Sequence, residues 1–264
     1  MSTNNKRTDR NLTVDLNCDF GEGYGIYSFG QDAELLQYVT SVNIACGFHA
    51  GDPHTIHSAV KQSLAAGVAI GAHPGLPDRL GFGRREMVVS ASEVYDFVLY
   101  QLGALRAFVQ AAGGELNHLK PHGALYHMAN RDKAVSEAIV QATLALDDRL
   151  MIYGQSGSQL LDTAQSAGLT AVSEVFADRA YESDGSLAAR SKRGAVLHDA
   201  QQAARQAVAM VAQGSAYTPE GEAVEVLANT ICLHGDGPNA ALFASRIREE
   251  LMQSGIKLQA PERP

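Results

Sequence analysis

The chain has 264 residues, of which 45% are hydrophobic, 19% charged and 25 are glycine, enough to bury one large α/β core connected by many tight turns. Acidic residues outnumber basic ones by 29 to 21, a formal charge of −8 with no long basic run, which argues against a nucleic-acid backbone or an anionic membrane as partner. The first ten residues hold no apolar leader, eighteen consecutive apolar residues occur nowhere, and Cys18, Cys46 and Cys232 lie at or just after apolar runs, so the expectation is a cytoplasmic protein with buried thiols.

Residues 1–10 read as a loose tail, and a strand follows near 12–18. A helix near 30–39 leads to a strand at 41–46, and Asp52-Pro53 caps a helix over 53–66 that Gly67 ends. The pattern continues with a strand at 68–72, a helix over 91–112, a strand at 116–120 and a helix over 132–146. Strands near 150–153, 170–176 and 229–233 alternate with helices near 157–166, 199–214 and 238–254, and residues 259–264 read as a second tail. Two connections, 73–91 and 177–198, are longer than the rest and rich in Gly, Arg, Asp and Ser, as substrate loops or lids are.

Unbroken β-α alternation implies a parallel sheet with right-handed crossovers. Polar clusters follow nearly every strand, including the first and the last, whereas an open doubly wound sheet gathers its ligand groups at one switch point. The expected architecture is therefore an irregular seven-stranded parallel β/α barrel in a single domain over residues 11–258.

Candidate chemistry sits at those strand ends. Asp15, Asn17 and Asp19 alternate along the first strand and share one face, the barrel interior or its rim. Asn43 ends the second strand, and His49 follows in a glycine-bounded turn; His49, His54 or His57 with Asp15 or Asp19 have the ligand types of a Zn²⁺ site. His73 precedes a Pro-Gly turn, where it can be base, ligand or hydrogen-bond donor. Lys120-Pro121-His122-Gly123 puts an ammonium and an imidazole at one rim position, suited to a carboxylate or a developing oxyanion and to proton transfer near neutral pH; an ion pair of Lys120 with Asp15, Asp19 or Glu174 is compatible with that. Glu174 and Arg179 close the sixth strand, Arg84, Arg85 and residues 190–193 add positive charge, and His234 and Asp236 follow the last strand in a glycine-rich turn, a habitual anion site in barrels. There is no Walker loop and no G-x-S-x-G elbow, and Cys46, beside His49, is a possible thiol nucleophile.

Taken together, the stretches DLNCDFGE (15–22), NIACGFHAGD (43–52), GAHPG (71–75), LKPHGALY (119–126), EVFADRAY (174–181) and LHGD (233–236) resemble the LamB/YcsF family, in order and at every strand end from about residue 12 to 255. The resemblance implies a barrel similar to those of glycoside hydrolases and polysaccharide deacetylases. It also implies ATP-dependent opening of the lactam 5-oxoproline to L-glutamate, with ADP and phosphate released and 5-oxoprolinase subunits B and C as partners. On that basis ATP with Mg²⁺ is the expected cofactor, a resting divalent metal being a further option with His49 as a ligand. Catalysis falls to Asp19, His73, Lys120 and His122, and substrate binding to Asp15, Asn17, Asn43, Glu174, Arg179, His234 and Asp236. Without a Walker loop the nucleotide belongs on a partner or at an atypical site near residues 235–239. Two competing readings are a metal-dependent amidase or deacetylase that uses Asp15, Asp19, His49 and His73 as ligands, and a non-catalytic subunit that presents a small carboxylate to its partners.

Overall fold

Each apolar run that ends in a polar cluster forms a parallel strand. The structure, a computed structural model, describes residues 12–27, 32–233 and 240–264. In chain order the elements are β1 (Thr13–Phe20), α1 (Asp32–Leu35), β2 (Ser41–Ala45), α2 (Pro53–Ala66), β3 (Ala69–His73), α3 (Ala91–Ala111), β4 (Leu116–Leu119), α4 (Gly123–Arg131) and α5 (Lys133–Leu146). They continue with β5 (Met151–Gln155), α6 (Gln159–Ser166), β6 (Ala171–Phe176), α7 (Ala200–Gln213), β7 (Ser215–Tyr217), β8 (Ala223–Glu225), β9 (Thr230–Leu233), α8 (Ala240–Gln253) and β10 (Lys257–Leu258). Strands β1 to β6 pair in sequence order, β9 pairs with β6, and β9 returns to β1 with Asn17 opposite Cys232, closing a seven-stranded parallel barrel as expected.

The period of two splits each strand between two environments. Val14, Leu16, Cys18 and Phe20 of β1 join Val42, Ile44, Ile70 and Ala72 in the apolar shell under the helices. The alternate residues point inward, and they are largely polar. Hydrogen bonds sort them into three stacked groups: Asp15 with Ser41, Tyr153 and Thr230; Asn17 with Asn43, His118 and Glu174; and Asp19 with His73 and Lys120. A barrel interior is more commonly filled by branched apolar side chains, so the buried polar column is the feature that needs a reason. Gly71 makes room for it, because a Cβ there would lie 2.0 Å from His118 Nε2.

Helix α2 starts as its sequence predicts, with Asp52 accepting from the His54 and Thr55 amides, Pro53 in the first turn and Gly67 in the left-handed conformation at its end. Elsewhere the structure departs from the sequence reading. The helix expected over 30–39 is a single turn at Asp32–Leu35, followed by turn residues. Helix α4, the β7–β8 hairpin and β10 are additional. Residues 259–264 are not loose: Gln259 donates to Val14 O, Asn117 to Pro261 O, and Arg263 pairs with Asp147 at 2.9 Å and Glu115 at 3.1 Å. Among the described residues no helix is long and apolar enough to cross a membrane.

Candidate active site

Parallel strands deliver their carboxyl ends to one mouth, and there β1 places Asp19, β3 places His73, the turn after β4 places Lys120 and His122, and β9 places Cys232. These residues, with Arg84, Tyr126, Phe176, Arg179 and Arg190, line a cavity of about 270 Å³. Lys120 is its electrostatic centre. Its Nζ lies 2.8 Å from Glu174 Oε1 and 3.1 Å from Asp19 Oδ1, and it donates to Asn17 Oδ1 at 3.2 Å and toward Cys232 Sγ at 3.1 Å. Burial disfavours the charge, but Asp19 and Glu174 outweigh it, and the ammonium is held well above the ordinary lysine range. Burial likewise opposes ionisation of Asp19, yet His73 and Lys120 prevail and keep its carboxyl well below the usual range.

Above Lys120 the imidazoles meet. His73 Nδ1 lies 2.8 Å from the carbonyl oxygen of Lys120, and His122 Nε2 lies 2.8 Å from that of Phe82. A carbonyl only accepts, so each contact fixes an N–H on that nitrogen. The remaining nitrogens, His73 Nε2 and His122 Nδ1, face each other at 2.9 Å, and His73 Nε2 is 3.3 Å from Asp19 Oδ2. His49 stacks on His122 with ring centroids 3.7 Å apart, and Glu22 Oε1 stands 3.4 Å from His49 Nε2 and 3.5 Å from His122 Nδ1. Burial and the neighbouring imidazoles push His49 and His122 well below the ordinary histidine range.

The loops hold these groups in place. Glu22 follows β1 in a segment tied to the start of α2 by Gly51 N to Gly23 O and by Gly25 N to Asp52 Oδ2 at 2.7 Å. The connection after β3 folds over the histidines: Phe82 takes a positive φ of 54°, rare for a bulky residue, and its carbonyl accepts from His122. A Cβ on the next residue, Gly83, would lie 2.7 Å from His49 Cβ and 2.9 Å from His122 Cδ2.

Asp19, His73, Lys120 and His122 are thus brought together, with Glu174 directly beneath Lys120. Asn17 and Asn43 lie below the cavity and position it: Asn43 donates to Asn17 and Asp19, and Asn17 donates to Glu174 and Thr230. Asp15 does not reach the mouth. It is four residues before Asp19, about 13 Å lower at strand rise, fully buried, and accepts from Thr40, Ser41, Thr230 and Tyr153. Burial raises its pKa and those four hydroxyls oppose the rise; with every neighbour a donor, it is neither a substrate contact nor a metal ligand. Arg179 borders the cavity, but its guanidinium donates to the carbonyls of Ala188 and Ala195 and so fastens the long connection after β6. Arg190, exposed on that connection, lines the same cavity.

His54 and His57 are exposed on α2, away from the other imidazoles, so the metal set that included them is not assembled. Cys46 is buried, donates to Ile44 O, and burial pushes its thiol up to about 12, which leaves no nucleophile at neutral pH. His234, Asp236 and the nucleotide site expected near 235–239 lie outside the described residues. Sequence reasoning missed His118 and Glu22 as site residues. His118 was legible as the inward neighbour of Lys120 by the period of two; Glu22 lies past the strand, where no period applies.

The family model described as LamB/YcsF family matches residues 14–264. A 5-oxoprolinase A-subunit from Geobacillus kaustophilus is 52% identical over 251 residues, covering 95% of this chain and 98% of the relative. One from Tolumonas auensis is 51% identical over 247 residues, covering 94% of this chain and 98% of the relative. Among solved structures, a lactam utilization protein from Thermus thermophilus superposes with a TM-score of 0.91 at 47% identity, covering 95% of this chain and 100% of that chain.

Proposed function

The chain belongs to the LamB/YcsF family, and from that premise we propose that it serves in a 5-oxoprolinase, opening the lactam ring of 5-oxo-L-proline to L-glutamate together with partner subunits B and C and coupled to hydrolysis of ATP. The names borne by its relatives support the substrate and the assembly. The observation that carries the chemical reading is Lys120, a buried ammonium between Asp19 and Glu174 at a cavity of about 270 Å³. That volume suits one five-membered ring and its carboxylate and is below the range of drug-sized ligands.

A lactam resists water because its nitrogen lone pair is delocalised onto the carbonyl. Phosphoryl transfer from ATP to the carbonyl oxygen makes the ring carbon electrophilic. Water then attacks that carbon as its proton passes to Asp19 and the C=N electron pair moves onto the ring nitrogen, and Lys120 stabilises the negative charge on the oxygens of the tetrahedral intermediate. The C–N bond breaks as the nitrogen takes a proton, and a second water releases phosphate from the resulting acyl phosphate to give glutamate. His73, beside Asp19, orients it, and His122 relays protons through His73. Arg190 and Arg84 meet the substrate carboxylate, with Arg179 holding the connection that carries Arg190. Phosphoryl transfer itself is assigned to the assembled complex with subunits B and C, with Mg²⁺ accompanying ATP.

The test is reconstitution. The chain, its two partners, 5-oxoproline and Mg-ATP are mixed and glutamate is followed; glutamate forms only when all are present. Release of glutamate by this chain alone without nucleotide contradicts the coupled reaction.

A further inference from the structure

The geometry points to a site for one divalent transition-metal ion formed by Glu22, His49, His73 and His122. One carboxylate oxygen and one ring nitrogen from each of the three histidines all lie within 4.8 Å of one another. The protons of the ring system force the issue. His73 and His122 each commit an N–H to a backbone carbonyl, so as neutral rings they present their other nitrogens to each other as lone pairs at 2.9 Å. Two lone pairs at that distance repel unless a proton or a metal cation lies with them, and the carboxylate oxygen of Glu22, a third donor 3.5 Å from His122 Nδ1, makes the group large enough for the metal. His49 supplies the second independent sign: it is 1% exposed and neither of its ring nitrogens makes a hydrogen bond.

The spacing fits the ion. Bonds of about 2.0–2.1 Å to nitrogen or oxygen in a tetrahedron require ligand–ligand edges of about 3.3–3.4 Å; three of the six separations are 2.9, 3.4 and 3.5 Å, and all six lie within 4.8 Å. Carbonyl acceptors on the far nitrogens of His73 and His122 are also the usual outer partners of metal-bound histidines, fixing tautomer and ring orientation. Three nitrogens and one oxygen select a borderline ion such as Zn²⁺, Co²⁺ or Ni²⁺ over Mg²⁺, which takes oxygen ligands. With the ion bound, His73 and His122 act as ligands in place of the proton relay, and Asp19, 3.3 Å from His73 Nε2, remains as the proton acceptor. Metal binding at these four residues stands whether or not the substrate is a lactam.

The chain is stripped with a chelator, dialysed, and titrated with Zn²⁺ and separately with Mg²⁺ by calorimetry. One equivalent of Zn²⁺ and no Mg²⁺ is expected, with affinity at least tenfold weaker in His49→Asn and Glu22→Gln and unchanged in the His54→Asn/His57→Asn double variant. On the unmutated chain, pulsed EPR after loading with Cu²⁺ should show coupling to imidazole nitrogens, a readout that does not depend on the variants folding. Absence of Zn²⁺ binding, a copper spectrum without imidazole coupling, or an affinity moved only by the His54/His57 change overturns the site and leaves a shared proton between His73 and His122.

Discussion

Two polar regions share the inside of this barrel, one at its floor and one at its mouth, and they use the same residue types on the same strand. At the floor Asp15 is surrounded by the hydroxyls of Thr40, Ser41, Tyr153 and Thr230. At the mouth Asp19 faces an ammonium and an imidazole whose nitrogen opposes another. Neutral donors that satisfy a carboxylate make structure, because nothing is left for a ligand to complete. Cations between two acids and lone pairs directed at one another make a site, because substrate, proton or metal completes them. The difference lies in what each acid faces, and burial alone does not separate the two.

The largest test of that difference is Lys120→Met. Removing a preorganised cation from the developing oxyanion should lower glutamate formation by the reconstituted complex about a thousandfold, about 4 kcal/mol of transition-state stabilisation, while far-UV circular dichroism stays that of the folded barrel. Activity within tenfold of the unmutated chain would show that the mouth does not need its ammonium. A smaller effect probes the middle of the column. Burial, then Lys120 and His73, lower His118 to about 3, whereas an unfolded histidine titrates near 6.5. The unfolded chain therefore binds the proton first, so stability is fully present above that pH and is lost as pH falls toward 3. Between pH 6.5 and 5 this one group should remove about 2 kcal/mol. Urea unfolding of the unmutated chain and of His118→Asn at both pH values checks it; equal losses in the two would mean His118 is not the buried neutral ring described.

The barrel was legible in the sequence because its strands are short apolar runs closed by Gly, Pro and polar clusters, and all seven fall within a few residues of their expected limits. Helix α4 was hidden by its start at Gly123, directly after the Lys-Pro-His turn, and by a hydrophobic face of only four buried residues, Ala124, Leu125, Tyr126 and Ala129. The β7–β8 hairpin has strands of three residues, and β10 has two, lengths at which no periodicity can be read. Asp19, His73, Lys120 and His122 were legible because each ends or follows a strand. The depth of Asp15 was not, because alternation gives the face but not the height at which the mouth opens. Glu22 and the work of Arg179 were set by loop contacts, which carry no period at all.

The most direct measurement compares Asp19→Asn with Asp15→Asn, each assayed in the reconstituted complex for kcat/KM and alone for thermal unfolding. Asp19→Asn is expected to lose about a thousandfold in kcat/KM and keep a folded barrel, while Asp15→Asn lowers the unfolding temperature and leaves the kcat/KM of the folded protein within about threefold. A stable Asp15→Asn that is as inactive as Asp19→Asn, or an Asp19→Asn that retains full turnover, would contradict this.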